Sequence, residues 1–251
     1  GNTPGPFPLL VFGYTSPDRF DNLIRSISSS GVVVAAFPVF DLNHNLDFAK
    51  DLLFVSTEMH YENASPISSF YGKIITGKAC IMGQGIGSSS PYLITQPDLQ
   101  PYNIPVNITG IISLGLRLTT EGGLFGAAST STAPALIIAA ENDCVYSPSS
   151  NAIPLYNAIS RYPAACKTYV EVRNASSCTL ADAFISDCQA DEAFCHPSTG
   201  IGSSMHQNLT AQIISPWLSG IMQDDMAEWI RFKSSLRSMT STSLAFLQLC
   251  H

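Results

Sequence analysis

The sequence predicts an α/β fold, with a mostly parallel sheet covered by helices on both faces. Apolar runs take turns with amphipathic stretches along the whole chain, which is the pattern of strands joined by helical crossovers. Hydrophobic residues make up 45% of the 251 positions and charged residues only 12%, enough apolar material for a sizeable core under a surface made polar by Ser, Thr, Asn and Gln. No internal repeat or long linker divides the sequence, so residues 1–251 are expected to form one domain.

The elements follow in order. Strands are expected over Leu9 to Phe12, Val32 to Phe37, Ala79 to Met82, Ile111 to Leu114, Ala135 to Ala139 and Thr168 to Val172. Helices are expected near Arg19 to Ser30, Leu46 to Thr57, Ser88 to Thr95, Asn151 to Arg161 and His206 to Met222. The segment from Ala175 to Ser204 is rich in Cys, Ser and Gly without clear periodicity, and reads as a disulfide-pinned excursion over one edge. Residues 235–251 read as a C-terminal tail. In such a sheet, ligands bind beyond the carboxyl ends of the strands.

The formal net charge of −7 is spread rather than blocked, which argues against nucleic acid and anionic membrane as partners. The longest apolar run, Gly31 to Phe40, is far short of the roughly 18 residues a membrane span needs and contains Pro38. Four N-x-[ST] sequons, at Asn63, Asn107, Asn174 and Asn208, point with the seven cysteines to a secreted or lumenal eukaryotic glycoprotein. A start at Gly1, without an initiator Met or signal peptide, is what a processed mature product or a trimmed chain would show. Cys80 sits in an apolar strand and reads as a buried free thiol. Cys144, Cys166, Cys178, Cys188, Cys195 and Cys250 are disulfide candidates, and Cys250 could also bridge to a second chain. No His/Cys cluster has zinc-like spacing, so no metal is expected.

Four segments carry chemistry: "FGYTSPDRF" after the first strand, "MGQGIGSSS" after the third, "ALIIAAENDCVYSPSSNAIPLYNAI" around the fifth, and "TYVEVRNASSC" as the sixth. With "SSFYGKI" leading into the third strand, this ordered set resembles the α/β-hydrolases of the polyester-hydrolase (cutinase-like), dienelactone-hydrolase and chlorophyllase-like group. The resemblance runs from about Pro6 to Trp229. Relatives carry further strands before this point, either absent here or supplied by another chain.

Carried over residue by residue, the resemblance implies a degenerate triad. The family reads G-H-S-M-G-G at the nucleophile elbow; this chain has Gly83-Gln84-Gly85-Ile86-Gly87-Ser88, so Gly85 stands at the nucleophile position. "END" supplies the acid position, Asp143. The family then reads G-[AG]-S-H, whereas here Asn174-Ala175-Ser176-Ser177 puts Ser177 at the base position. A triad needs a nucleophilic oxygen, a base titrating near neutrality and a carboxylate to orient it. Gly85 has no side-chain atom and Ser177 is no base, so the chain is expected not to be an enzyme. An engineered knockout would change one residue; loss of two points to natural decay. Asp143 keeps a structural role in this reading, bonding loop amides.

The oxyanion donors would survive because backbone N–H groups supply them; Tyr14 and Ile86 occupy those positions. The expectation is a pocket between Tyr14, Gly85, Ile86, Asp143 and Ser177 that holds an apolar small molecule (a lipid, an ester or a chlorophyll-type pigment) and requires no cofactor. A protein-interaction module is the alternative, and a surviving esterase with a displaced base at His196 or His206 the third reading. His44 and His60 read as surface residues, and Ser88, Ser89 and Ser90 as helix-start serines. Tyr14 either closes over a ligand or packs as a loop aromatic. Cys144 and Cys178 belong at the ends of neighbouring strands, where a mutual disulfide is sterically feasible and where some polyester hydrolases have one; local pairing of Cys178 with Cys188 or Cys195 is the alternative. A glycan on Asn174 would stand at the rim of the former site.

Overall fold

A computed structural model describes residues 5–14, 19–38, 44–96, 99, 106–121, 123–160, 166–182, 192–193, 200–239 and 243–249. Seven strands form one sheet in the order β2-β1-β3-β4-β5-β6-β7. They are β1 (Leu9–Tyr14), β2 (Val33–Pro38), β3 (Lys78–Gln84), β4 (Asn107–Leu114), β5 (Ala135–Ala140), β6 (Lys167–Val172) and β7 (Leu244–Leu249). The first six are parallel, and β7 runs antiparallel to β6. This is the α/β-hydrolase type of sheet.

Strand polarity explains why the apolar runs are continuous. Leu10, Phe12 and Tyr14 of β1 and Cys80 and Met82 of β3 enter one core layer, while Leu9, Val11, Ala79 and Ile81 enter the other. Successive side chains point to opposite faces and both faces are covered, so β1 is buried throughout and β3 at every position after Lys78. The first layer is closed by α1 (Asp21–Ser29), by Ile213, Ile214 and Trp217 of α6 (Ser203–Met222), and by Phe232 and Leu236 of α7 (Met226–Met239). The second is closed by α2 (Asn45–Ala64), α3 (Ser90–Leu93), α4 (Leu124–Thr130) and α5 (Ala152–Ala158).

The tertiary structure corrects several sequence expectations. Residues 235–251 are not a tail: α7 continues to Met239, and Leu244–Leu249 forms β7. That strand is defined by pairing with β6 more than 70 positions upstream, a long-range contact that local periodicity does not encode. The helix expected over Leu46 to Thr57 runs on to Ala64, and the one expected from His206 begins at Ser203. The Ser88 to Thr95 helix is instead a 3-10 turn over Gly85–Ser89 followed by the short α3. In the excursion, Cys178–Leu180 is a 3-10 turn, and much of the remainder lies outside the described residues.

His60 is buried rather than on the surface, its Nδ1 bonded to the Ser56 carbonyl at 2.8 Å; His44 is exposed at the start of α2. Asn63 is buried too. Its Oδ1 accepts from Ile74 N (2.8 Å) and its Nδ2 donates to Ile74 O (3.0 Å), so the amide nitrogen that would carry a glycan is spent inside the fold. Asn107, Asn174 and Asn208 are exposed. Cys80 is the free buried thiol, and burial pushes it up to about 12; Cys144, Cys166 and Cys178 are disulfide-bonded. Cys188, Cys195 and Cys250 lie outside the described residues, as does His196. Among the described residues no helix is long and apolar enough to cross a membrane, and no cluster of His, Cys, Asp and Glu could hold a metal ion.

Candidate functional site

The chain order reverses between β1 and β3: β2 lies on one side of β1 and β3 on the other. The crevice at such a switch point is where open α/β sheets bind ligands. Tyr14 ends β1 there, and Gly85 follows β3.

The three glycines of "GQGIG" do different work. A Cβ on Gly83 would collide with the Gly87 carbonyl oxygen and lie 2.9 Å from its carbon, and one on Gly87 would run into the Phe48 ring. Both are glycine because the returning chain and α2 press against the elbow. Phe48 also excludes a Cβ at Gly13, so one ring wedges the ends of β1 and β3 together. Gly85 differs. Its φ is +58, in the left-handed region, and among the described residues a Cβ would meet nothing closer than Tyr146 Cε2 at 3.8 Å.

Ser88, Ser89 and Ser90 are fully buried and hydrogen-bonded. Ser88 Oγ donates to the Gly85 carbonyl and accepts from Arg117 N at 2.9 Å; Ser89 Oγ donates to the Arg117 carbonyl; Ser90 Oγ donates to Asn45 Oδ1 at 3.0 Å. These bonds pin the turn to the β4 end and to α2, which leaves no serine there as a replacement nucleophile.

Asp143 follows β5 and is buried. The Ser177 hydroxyl donates to its Oδ2, and Tyr146 N–H donates to Oδ1 at 2.7 Å. Burial lifts this carboxyl above the ordinary aspartate range, although Ser177 and the amides of Tyr146 and Val145 pull it down. The loops after β5 and β6 therefore meet in a serine–carboxylate pair. Gly115, at φ +51 after β4, makes room for this pair, because a Cβ there would lie 2.9 Å from Ser177 Oγ.

Sequence reasoning passed over three residues here. Tyr146 borders the space beside Gly85 and lies under the Arg117 guanidinium, 5.9 Å from its centroid; its signal was the "VYSP" after the acid. Gly115 was signalled by the glycine directly after an apolar strand. Glu192 is buried and accepts from Cys178 N at 3.1 Å. Burial raises its pKa, the Cys178 and Ser176 bonds oppose this, and the nearby Asp143 charge adds to it. It comes from the aperiodic excursion, where no local pattern marked it.

The remaining residues settle differently. Tyr14 is buried against Phe12 and Phe20, with ring centroids 5.1 and 5.8 Å away, so its ring belongs to the core and not to a lid. Ile86 is half-buried, and its N–H falls in the first turn of the 3-10 segment, where amides lack a partner within the helix. His206 is buried on α6 with Nδ1 2.8 Å from Thr179 Oγ1, and burial lowers it to about 4. Its Nδ1 is bonded to Thr179 Oγ1 and not to Asp143, and a ring so lowered is too weak a base to serve as the displaced histidine.

A PET hydrolase-like family model matches residues 126–187. The match includes Asp143 and Ser177 but not Gly85. No curated protein matches the chain.

Proposed function

We propose that this chain is a non-catalytic hydrolase homologue of the secretory pathway, which holds an apolar small molecule bearing a carbonyl or carboxyl group at the former elbow. The observation that carries this reading is Gly85: a backbone at φ +58 where, among the described residues, a side-chain Cβ would make only an ordinary contact with Tyr146. The similarity at 126–187 is to a hydrolase family, and it supports a hydrolase scaffold. Against turnover stand the absence of a side chain at Gly85 and the use of Ser177 as a donor to Asp143.

In this reading the N–H groups of Tyr14 and Ile86 hold the ligand's oxygen, as oxyanion donors do. Tyr146 and Ile86 supply apolar wall. Nothing attacks the carbonyl, so binding ends in retention and no cofactor is needed. Lipids, esters and chlorophyll-type pigments fit this description.

The test has two parts. Purified protein is assayed on p-nitrophenyl esters, and its bound small molecules are extracted for mass spectrometry. The reading expects no hydrolysis above a denatured control and a stoichiometric extractable ligand. Hydrolysis that survives repurification, or an empty extract from protein made in a eukaryotic secretory host, would overturn it.

One observation favours a protein-interaction role as the second reading. Phe54 and Tyr61 of α2 are 64% and 59% exposed, and Ile67 in the turn that follows is 97% exposed. Such apolar side chains on one side of a domain mark contact surfaces. Solubility and oligomeric state of a Phe54→Ser, Ile67→Ser double variant separate this reading from the first.

A further inference from the structure

Two cavities of about 520 Å³ and 510 Å³ follow one another along the same face of α6, with Ser26 of α1 lining both, and make up a surface groove in two parts. The first is lined by Asn22, Arg25, Ser204 and Asn208, the second by Gln212, Ser215, Pro216 and Ser219 among others. The lining is dominated by hydroxyls and amides. Asn208 is exposed, and it is the asparagine of the sequon Asn208-Leu209-Thr210. We infer that this groove is the seat of the chain's own N-linked glycan, attached at Asn208 and lying along α6 toward Ser219. The inference rests on the secretory reading above.

Three features of the groove suit a sugar chain. Asn208 stands at one end, and Ser219 is eleven residues further on, about 16 Å along the helix at 1.5 Å per residue. Pro216 inside α6 has no N–H to give the Gln212 carbonyl, so that oxygen lacks its helical donor where both residues line the groove. A sugar hydroxyl or N-acetyl N–H can supply the missing hydrogen bond. Arg25, with no ion-pair partner among the described residues, offers donors to sugar oxygens at the Asn208 end.

The floor is rigid. Gln207 Nε2 donates to the Leu180 carbonyl (3.0 Å) and Asp182 Oδ1 (2.6 Å), while Asn22 N donates to Asp182 Oδ2 (3.0 Å). α1 and α6 are thereby tied together beneath the cavity. Neither Asn107 nor Asn174 lines either part of the groove. Attachment replaces one Nδ2 hydrogen of Asn208 by the anomeric carbon of the first sugar; the diphosphate of an activated sugar donor leaves and takes the proton.

The experiment uses the whole chain secreted from eukaryotic cells. Peptide mapping establishes which sequons carry sugar, and peptide-N-glycosidase F acts on the native protein. A seated glycan predicts release at Asn208 about tenfold slower than at Asn107 or Asn174, equivalent to about 1.4 kcal/mol of docking. Ser26→Trp and Ser215→Trp, which fill the groove at separate points, should each restore parity; two variants guard against misfolding of either. Equal release rates in the parent protein would overturn the inference, as would slow release that neither variant changes. Sugar at Asn107 or Asn174 with Asn208 bare would refute the groove and leave the secretory reading standing. Three bare sequons would refute both.

Discussion

Alanine at each elbow glycine separates steric need from conformational need. At Gly85 the new methyl meets, among the described residues, only Tyr146 at 3.8 Å, an ordinary contact, so the cost is that of holding an L-residue at φ +58. That is about 1–2 kcal/mol. For a chain of this size, each kcal/mol lowers the melting temperature by about 2–4 °C, so Gly85→Ala should lose about 2–8 °C. At Gly83 the methyl falls against backbone, 2.9 Å from the Gly87 carbonyl carbon and 3.0 Å from Ser88 Cα. Neither can retreat without opening the turn that the buried serines pin, which places Gly83→Ala at or beyond the upper end of overpacking costs, about 3 kcal/mol. Scanning calorimetry and urea melts of the two variants measure the difference. A Gly83→Ala protein as stable as Gly85→Ala would refute this account of the elbow. Gly85→Ser should match Gly85→Ala in stability and gain no esterase activity, because Ser177 still supplies no base.

Further outcomes follow from individual groups. Asp143 has its pKa raised by burial, so its contribution favours the fold below the ordinary carboxylate range and is lost as pH rises through the folded value. The melting temperature of Asp143→Asn relative to the parent should therefore increase as pH rises from about 4. A relative gain that instead grew on acidification would contradict the assignment. His206, lowered to about 4, has the opposite sense: its contribution is present above pH 6.5 and is lost as pH falls toward 4, roughly 3 kcal/mol in all. Urea titrations of His206→Gln should show a flatter pH dependence across that window, and an unchanged slope would remove His206 as its source. Asn63→Ala strands both Ile74 backbone groups and should destabilise by about 2 kcal/mol or more. Asn63→Gln should not rescue it, because the longer side chain cannot keep both bonds; wild-type stability for Asn63→Ala would show the amide to be dispensable.

Local sequence carried much of the site. The glycine spacing at 83, 85 and 87, the "END" run and the Ser176-Ser177 pair each sit beside an apolar strand, and strand ends are where a parallel sheet gathers its chemistry. What they could not convey was distance. Only the fold shows that Ser177 and Asp143 bond to each other, since they come from different loops. Glu192 escaped notice because its position depends on the Cys178 turn rather than on any periodicity.

The sequence by itself determined the parallel order of strands, because continuous apolar runs separated by amphipathic stretches have no other well-buried arrangement. It also determined which residues stand at 85, 143 and 177, which is a matter of residue identity. Tertiary structure decided the rest. It set β7 on the sheet edge, buried His60 and His206, and spent the amide of Asn63 inside the fold. It kept Gly85 in an elbow with room beside it. Burial, pairing and free space are properties of the segments that meet, and those segments come from distant parts of the chain.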